Sequence, residues 1–255
     1  MDYYDQQSHM YGTNAGQEEK VNKGSSVTLS IAKVFLYMFA GLLITALVAF
    51  GVGALVYYKL EVDPSDVFAG TYLWILVGSG IALIIDVIVI NFVTLRGKHS
   101  ILIPAIIYCV LVGVLFSMLT VFVEWELIGM AFGITALSFL VMGAIAFLTK
   151  GSLAPLAVMA IGLFVGAGLL ALVNWIYMIA TGTVFNTLYW VVTFAIFAAI
   201  MLITMYDMWR MKKIAEAGQL QGNLALYCAF TMYVDFINIF IRILYFLILI
   251  YGKKK

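Results

Sequence analysis

The sequence predicts an all-α integral membrane protein: a bundle of seven transmembrane helices with almost no soluble mass. Three observations carry this reading. Of the 255 residues, 65% are hydrophobic and only 11% are charged, with a mean hydropathy of +1.09. A water-soluble domain carries roughly 25% charged residues to clothe its surface, so the surface here faces lipid. The apolar residues also gather into runs of the roughly 20 residues that a helix needs to cross a hydrocarbon core. Finally, the charges collect in short breaks between those runs.

The spans lie near 31–57, 70–95, 101–123, 126–149, 153–179, 186–208 and 222–251. Between the first two, 57–66 carries Lys59, Glu61, Asp63, Pro64 and Asp66. The break at 96–100 is short and basic, Glu124 and Glu126 mark a tight acidic turn, and 150–152 is a second basic turn. The break at 180–185 is small and uncharged, and 209–221 holds Arg210, Lys212, Lys213 and Glu216. Connections this short make sequential helices antiparallel neighbours. Residues 1–28, rich in Tyr, Gln, Ser, Gly and Asn and without an apolar run, read as a disordered polar tail. The domains are then this tail, a transmembrane domain over 29–252 and a basic end at 253–255. The first span is too long and too late for a cleaved signal and should stay in the protein.

Lys and Arg in short loops set orientation. With the N-terminus in the cytoplasm, the inside loops hold Arg96 and Lys98, then Lys150, then Arg210, Lys212 and Lys213. The outside loops hold Lys59 with Glu61, Asp63, Asp66, Glu124 and Glu126. A full seventh span breaks the rule by placing Lys253, Lys254 and Lys255 outside. Its length favours a full crossing all the same.

Several function classes are excluded. A net charge of +1 gives no footprint for nucleic acid. Cys109 and Cys228 sit inside apolar runs and form no disulfide framework. His9 and His99 lie outside the runs, so neither a buried metal or haem site with histidine ligands nor an intramembrane serine–histidine protease is available. A Gly-rich phosphate loop, a His-Glu-x-x-His motif and a Cys-x-x-Cys motif are all missing from the sequence. The expectation is no enzyme and no cofactor, with the lipid bilayer as the first partner.

The informative residues are polar ones inside the spans. An ionisable side chain at a helix centre costs about 2.5–3.5 kcal/mol on the lenient insertion scale, so it needs a partner or a water-filled cavity. Asp86, Asp207, Asp235 and Arg242 are such residues, with amides at Asn91, Asn174 and Asn238. Asp235, Asn238 and Arg242 follow i, i+3, i+7 spacing, which predicts one polar stripe on the last helix. Asp235 then either pairs with Arg242 or a neighbouring helix as a structural network, or serves function. Asp207, near the end of the sixth span, either pairs with Arg210 at i+3 or works with Asp235. Asp86 is either a third pore acid or a partner for Arg242. Gly129-x-x-x-Gly133 and Gly162-x-x-x-Gly166 offer small faces for close helix approach. Tyr57, Tyr58, Trp125, Trp175, Tyr189 and Trp190 sit near span ends, as aromatic belts do.

Three segments resemble one family. Gly129-Met-Ala-Phe-Gly-Ile-Thr-Ala-Leu-Ser-Phe139 is similar to an Ala-Phe-Gly-x-Thr signature. Tyr206-Asp207 precedes a basic turn, as in a Tyr-Asp motif closing a sixth span. Ala225-Leu-Tyr-Cys-Ala-Phe-Thr-Met-Tyr-Val-Asp235-Phe-Ile-Asn238-Ile-Phe is similar to a Leu-Asp-Phe-Ile-Asn pattern and is the most specific of the three. Together they resemble the Bax inhibitor-1 family, also called the transmembrane Bax inhibitor motif family, in its bacterial type. The likeness covers roughly 31–251 and not the tail.

The resemblance implies a seven-helix bundle with the C-terminal helix central, a calcium leak, and two aspartates whose shared proton senses pH. By motif these are Asp207 and Asp235, which would also touch Ca²⁺ in transit. It associates an arginine after the second span with the pair, and Arg96 is the nearest match. Met208 and Trp209 depart from the polar residues common after the Tyr-Asp motif. Two carboxylates close together in a low dielectric do not both ionise cheaply, so they share a proton, and losing it pushes their helices apart. The expected function is a pH-regulated calcium leak channel in the plasma membrane of a bacterium, with Ca²⁺ and protons as permeant or bound partners. The alternative is a non-conducting regulator that binds other membrane proteins, in cell-death suppression or control of membrane proteolysis. A proton-coupled transporter would favour an internal repeat, and the sequence offers no convincing one.

Overall fold

The computed structural model describes the backbone of residues 3–59, 71–96, 100–183 and 185–251, and side chains over 26–56, 72–92, 100–183 and 185–251. Among the described residues are seven helices: α1 (Tyr3–Lys59), α2 (Thr71–Arg96), α3 (Leu102–Phe122), α4 (Trp125–Leu148), α5 (Ala154–Thr181), α6 (Asn186–Glu216) and α7 (Gly222–Tyr251). Each contains a stretch long and apolar enough to cross a membrane, that of α1 being Ser26–Val56. The protein is an all-helical, multi-pass membrane protein. Its outside is apolar: Leu47 is 72% exposed, Leu140 70% and Leu148 80%. In water such side chains would drive aggregation, whereas hydrocarbon solvates them.

Two boundaries differ from expectation. Helical backbone extends upstream of Ser26 to Tyr3, over residues that the sequence reads as a disordered tail. At the other boundary, the break read at 209–221 is mostly helix, because α6 runs on to Glu216. Met208, Met211 and Ala215 are buried at i, i+3, i+7 spacing, so one face of this basic stretch keeps packing while Arg210 and Lys213 point outward. The helix stops where Gly218 takes φ +73, left-handed geometry that glycine adopts without strain. Lys212 explains the charge on this last turn: its Nζ donates to the carbonyls of Phe147 (2.8 Å) and Thr149 (3.1 Å), satisfying the open C-terminus of α4.

Those bonds put the C-terminal ends of α4 and α6 at the same end of the bundle. The opposite end joins the start of α4 to the second half of α1 through stacked Phe50 and Trp125 rings. Tyr189 of α6 and Tyr245 of α7 share a hydroxyl hydrogen bond, as antiparallel neighbours should. α7 packs on α1, α3, α4 and α6 and carries the largest buried share of any span, whereas α5 packs on α6 and is otherwise exposed.

The close helix approaches are not where the sequence places them. Gly129, Gly133, Gly162 and Gly166 face open space, so neither Gly-x-x-x-Gly pair packs a helix within the chain. The tight glycines are on the α1–α3 and α1–α7 contacts instead. A Cβ on Gly113 would come 2.8 Å from the Thr45 carbonyl oxygen, and one on Gly41 3.2 Å from both Cys109 Sγ and the Tyr233 ring.

Candidate functional site

Asp235 lies on the buried face of α7 at 7% exposure, and its Oδ2 has no hydrogen-bond partner. The facing helix is α6. There the Thr204 hydroxyl lies beside the Asp235 carboxyl, and Asp207, one turn further along, exerts its charge on it. Thr204 donates to the Ile200 carbonyl at 2.8 Å. A hydroxyl has one proton, so Thr204 divides it between this carbonyl and the Asp235 carboxyl, and Oδ2 is left without a donor. α6 and α7 thus bring Asp207 and Asp235 to one interface. Among the described residues no direct hydrogen bond joins their carboxyl groups.

Asp207 is half-buried and borders a cavity of about 280 Å³, walled by Arg210, Met211, Cys228, Thr231 and Met232 among others. Arg210 is exposed and acts on Asp207 electrostatically without closing an ion pair. The ion pairs among the described residues are Lys212–Glu216 at 3.8 Å and Lys213–Glu216 at 2.8 Å. Asp207 therefore opens, with Arg210, toward a vestibule at the basic end of the bundle whose other walls are mostly apolar, and Asp235 lies deeper. Met208 fills the core beside them with no exposure, and Trp209 presents a buried Nε1 without a partner.

The remaining predicted residues separate from this pair. The single polar stripe on α7 does not form: Asp235 is buried, Asn238 is exposed and Arg242 is half-buried. The reason is angular. Asn238 sits about 60° from Asp235 around the helix, enough to leave the buried face, and Arg242 is about 10 Å away along the axis. Arg242 makes no ion pair with Asp235 or Asp86; its charge is felt by Tyr245. Asp86 is buried at 7% exposure with an unpartnered Oδ2, facing Tyr108 and Cys109 of α3 rather than the α6–α7 acids. Arg96 ends α2, and its side chain lies outside the described residues, as do Lys98, His99, Lys59, the acids Glu61, Asp63 and Asp66, and Lys253 to Lys255.

Sequence reasoning missed a hydroxyl junction joining three helices. Thr45 of α1 donates to the Cys109 carbonyl of α3 at 3.0 Å, and the Tyr233 hydroxyl of α7 lies 2.6 Å from Thr45 Oγ1. With the Thr45 proton engaged, Tyr233 is the donor. The signal was available in one form only: a tyrosine two residues before Asp235, which period-3.6 geometry sends to another face of α7.

The family model described as "Inhibitor of apoptosis-promoting Bax1" matches residues 27–251. The chain belongs to the Bax inhibitor-1 family. The match begins beside Ser26, where the first membrane-crossing stretch starts, and ends with α7. Bax inhibitor-1 membership therefore covers all seven spans. No curated protein and no solved structure is matched.

Proposed function

We propose that this Bax inhibitor-1 family member is a pH-regulated calcium leak channel, gated by a proton shared between Asp207 and Asp235. The observation that carries the reading is a deeply buried carboxyl, Asp235 Oδ2, with no hydrogen-bond partner, facing a second acid across the α6–α7 interface. A buried acid with an unsatisfied oxygen among membrane spans is costly and is functional by default. Two acids in that setting hold a proton between them at lower pH and repel when it leaves. Repulsion across a helix–helix contact biases a two-state packing, as a gate requires. The vestibule beside Asp207 gives a hydrated cation access to oxygen ligands at one end. Ca²⁺ touches the acids in transit, and the protein needs no cofactor.

The basic end of the bundle, with Lys150, Arg210, Lys212 and Lys213, is proposed to face the cytoplasm, and the membrane to be the plasma membrane of a bacterium. Cysteines placed at 150–152 and 217–221 should label from the inside only; labelling from outside reverses the orientation.

The second reading, a non-conducting regulator of other membrane proteins, is favoured by α5, which packs on α6 and leaves most of its length exposed. One experiment separates the two. Purified protein in sealed vesicles should pass Ca²⁺ without partners, with flux that changes with pH. Asp235→Asn keeps size and polarity but cannot titrate, so its flux should lose most of that dependence. Absence of flux from well-inserted protein supports the regulator; an unchanged pH profile in Asp235→Asn places the sensor elsewhere.

A further inference from the structure

Three sulfur-bearing side chains line the vestibule that Asp207 borders: Met211 of α6, and Cys228 and Met232 of α7. The register of the two helices explains why they meet. Thr204 lies beside Asp235, and Tyr189 bonds to Tyr245, so α6 and α7 run antiparallel. Three residues on from Thr204 is Asp207, and three back from Asp235 is Met232; seven residues in the same directions reach Met211 and Cys228. Asp207 therefore stands level with Met232, and Met211 with Cys228, the two levels lying one turn or about 6 Å apart along the axis. On each helix the two positions are i, i+4 and share a face.

These side chains border about 280 Å³ of open space rather than filling it. Cys228 carries a free thiol, and the charges of Asp207 and Arg210 act on it with opposite sign and offset each other. The donor atoms then decide what binds. A thiolate and two thioethers are soft, polarisable ligands that suit Cu(I) and not Ca²⁺ or Mg²⁺. Charge makes the same choice. One thiolate neutralises one monovalent ion, so the complex brings no net charge into a low dielectric, whereas a divalent ion would leave a positive charge there. Methionine has three rotatable bonds, which let thioethers one turn apart converge on one ion. Entry is from the basic end, where Arg210 and Leu224 of the cavity wall are exposed.

We propose that Met211, Cys228 and Met232 form a three-sulfur site for a soft monovalent metal ion such as Cu(I). Binding replaces the thiol proton: the S–H bond breaks, a metal–sulfur bond forms, and the proton leaves to water in the vestibule. No oxidation state changes. The site goes beyond the acid pair and stands whether or not the protein conducts Ca²⁺.

Full-length protein in detergent is titrated with Cu(I), kept reduced by ascorbate and buffered by bicinchoninate, whose colour reports the metal that the protein has not taken. One Cu(I) per chain should be withdrawn, and X-ray absorption of the bound copper should fit three sulfur neighbours. Cys228→Ala should abolish the uptake. Met211→Leu and Met232→Leu are close in volume and should fold. Each should weaken binding by at least roughly tenfold, the low end of what removing even an outer partner of a metal ligand costs. Should Cys228→Ala fail to fold, the two leucine variants decide. Cys109→Ala removes a thiol that faces Gly41 of α1, away from this cavity, and should keep the uptake. A large excess of Ca²⁺ should not displace the copper. No uptake against the chelator overturns the proposal. So does uptake unchanged in both leucine variants, which would mark a thiol acting alone. Equal loss in Cys109→Ala, displacement by Ca²⁺, or oxygen and nitrogen neighbours in place of sulfur would overturn it too.

Discussion

Gly113 gives the sharpest test of how the spans are held together. It lies on α3 against α1, where an added Cβ would stand 2.7 Å from Val48 Cβ and 2.8 Å from the Thr45 carbonyl oxygen. Carbon atoms make ordinary contact at about 3.5–4.0 Å, so Gly113→Ala requires the helices to part by roughly 1 Å. One obstacle is backbone, so no rotamer change relieves it. Parting also stretches the 3.0 Å bond from Thr45 to the Cys109 carbonyl, one turn away on α3. Overpacking costs about 1–3 kcal/mol, and an interhelical hydrogen bond in a membrane protein adds about 0.6 kcal/mol. Alanine recovers about 1 kcal/mol of helix propensity over glycine. The expected net loss is about 1–2.5 kcal/mol, which for a chain of this size lowers the melting temperature by roughly 2–10 °C. Thermal unfolding of purified protein in micelles, followed by far-UV circular dichroism, reads this directly. Gly162→Ala and Gly166→Ala are the controls: both face open space and should hold or raise stability, by up to about 1 kcal/mol. A Gly113→Ala protein that melts with wild type, or a Gly162→Ala protein that melts several degrees lower, would refute the assigned helix contacts.

Other perturbations follow from the same structure. Lys212→Met keeps the aliphatic stem but leaves the Phe147 and Thr149 carbonyls without their donor; about 1–2 kcal/mol should be lost, with faster hydrogen exchange at the end of α4. Tyr233→Phe removes one hydroxyl from the three-helix junction and should cost only about 0.6 kcal/mol in thermal unfolding, because Thr45 retains its carbonyl acceptor. Asp86→Asn replaces an acid whose Oδ2 has no partner, so stability should hold or rise; a loss above about 2 kcal/mol would show that the carboxylate is paired.

Much of the fold could be read from hydropathy because a bilayer imposes a length. Each span must be helical over a fixed thickness, so each of the seven apolar runs lies within one of seven helices, although α1 and α6 extend well beyond theirs. The misplaced end of α6 arose where that rule stops. Beyond the hydrocarbon, charge no longer excludes helix, and Met208, Met211 and Ala215 continue the packed face through a basic sequence. The position of Asp207 and Asp235 inside apolar runs was also legible, because a carboxyl in an apolar run is conspicuous at any register.

Glycine spacing and the polar stripe were not legible, for one shared reason. Hydropathy says that a residue lies in the membrane but not toward which neighbour it points. In lipid both faces of a helix are apolar, so the amphipathic signal that orients a soluble helix is missing. The sequence by itself therefore determined the number of spans, their lengths and the presence of costly acids among them. Only the packing of α7 against α1, α3, α4 and α6 decided that Asp235 turns inward while Asn238 turns out, and only the packing of α2 and α1 on α3 decided that Asp86 faces α3 and that Gly113 rather than Gly162 is where backbones meet. Those choices depend on side-chain interlock between helices distant in sequence, where differences of about 1 kcal/mol per contact select one arrangement among many of equal hydropathy.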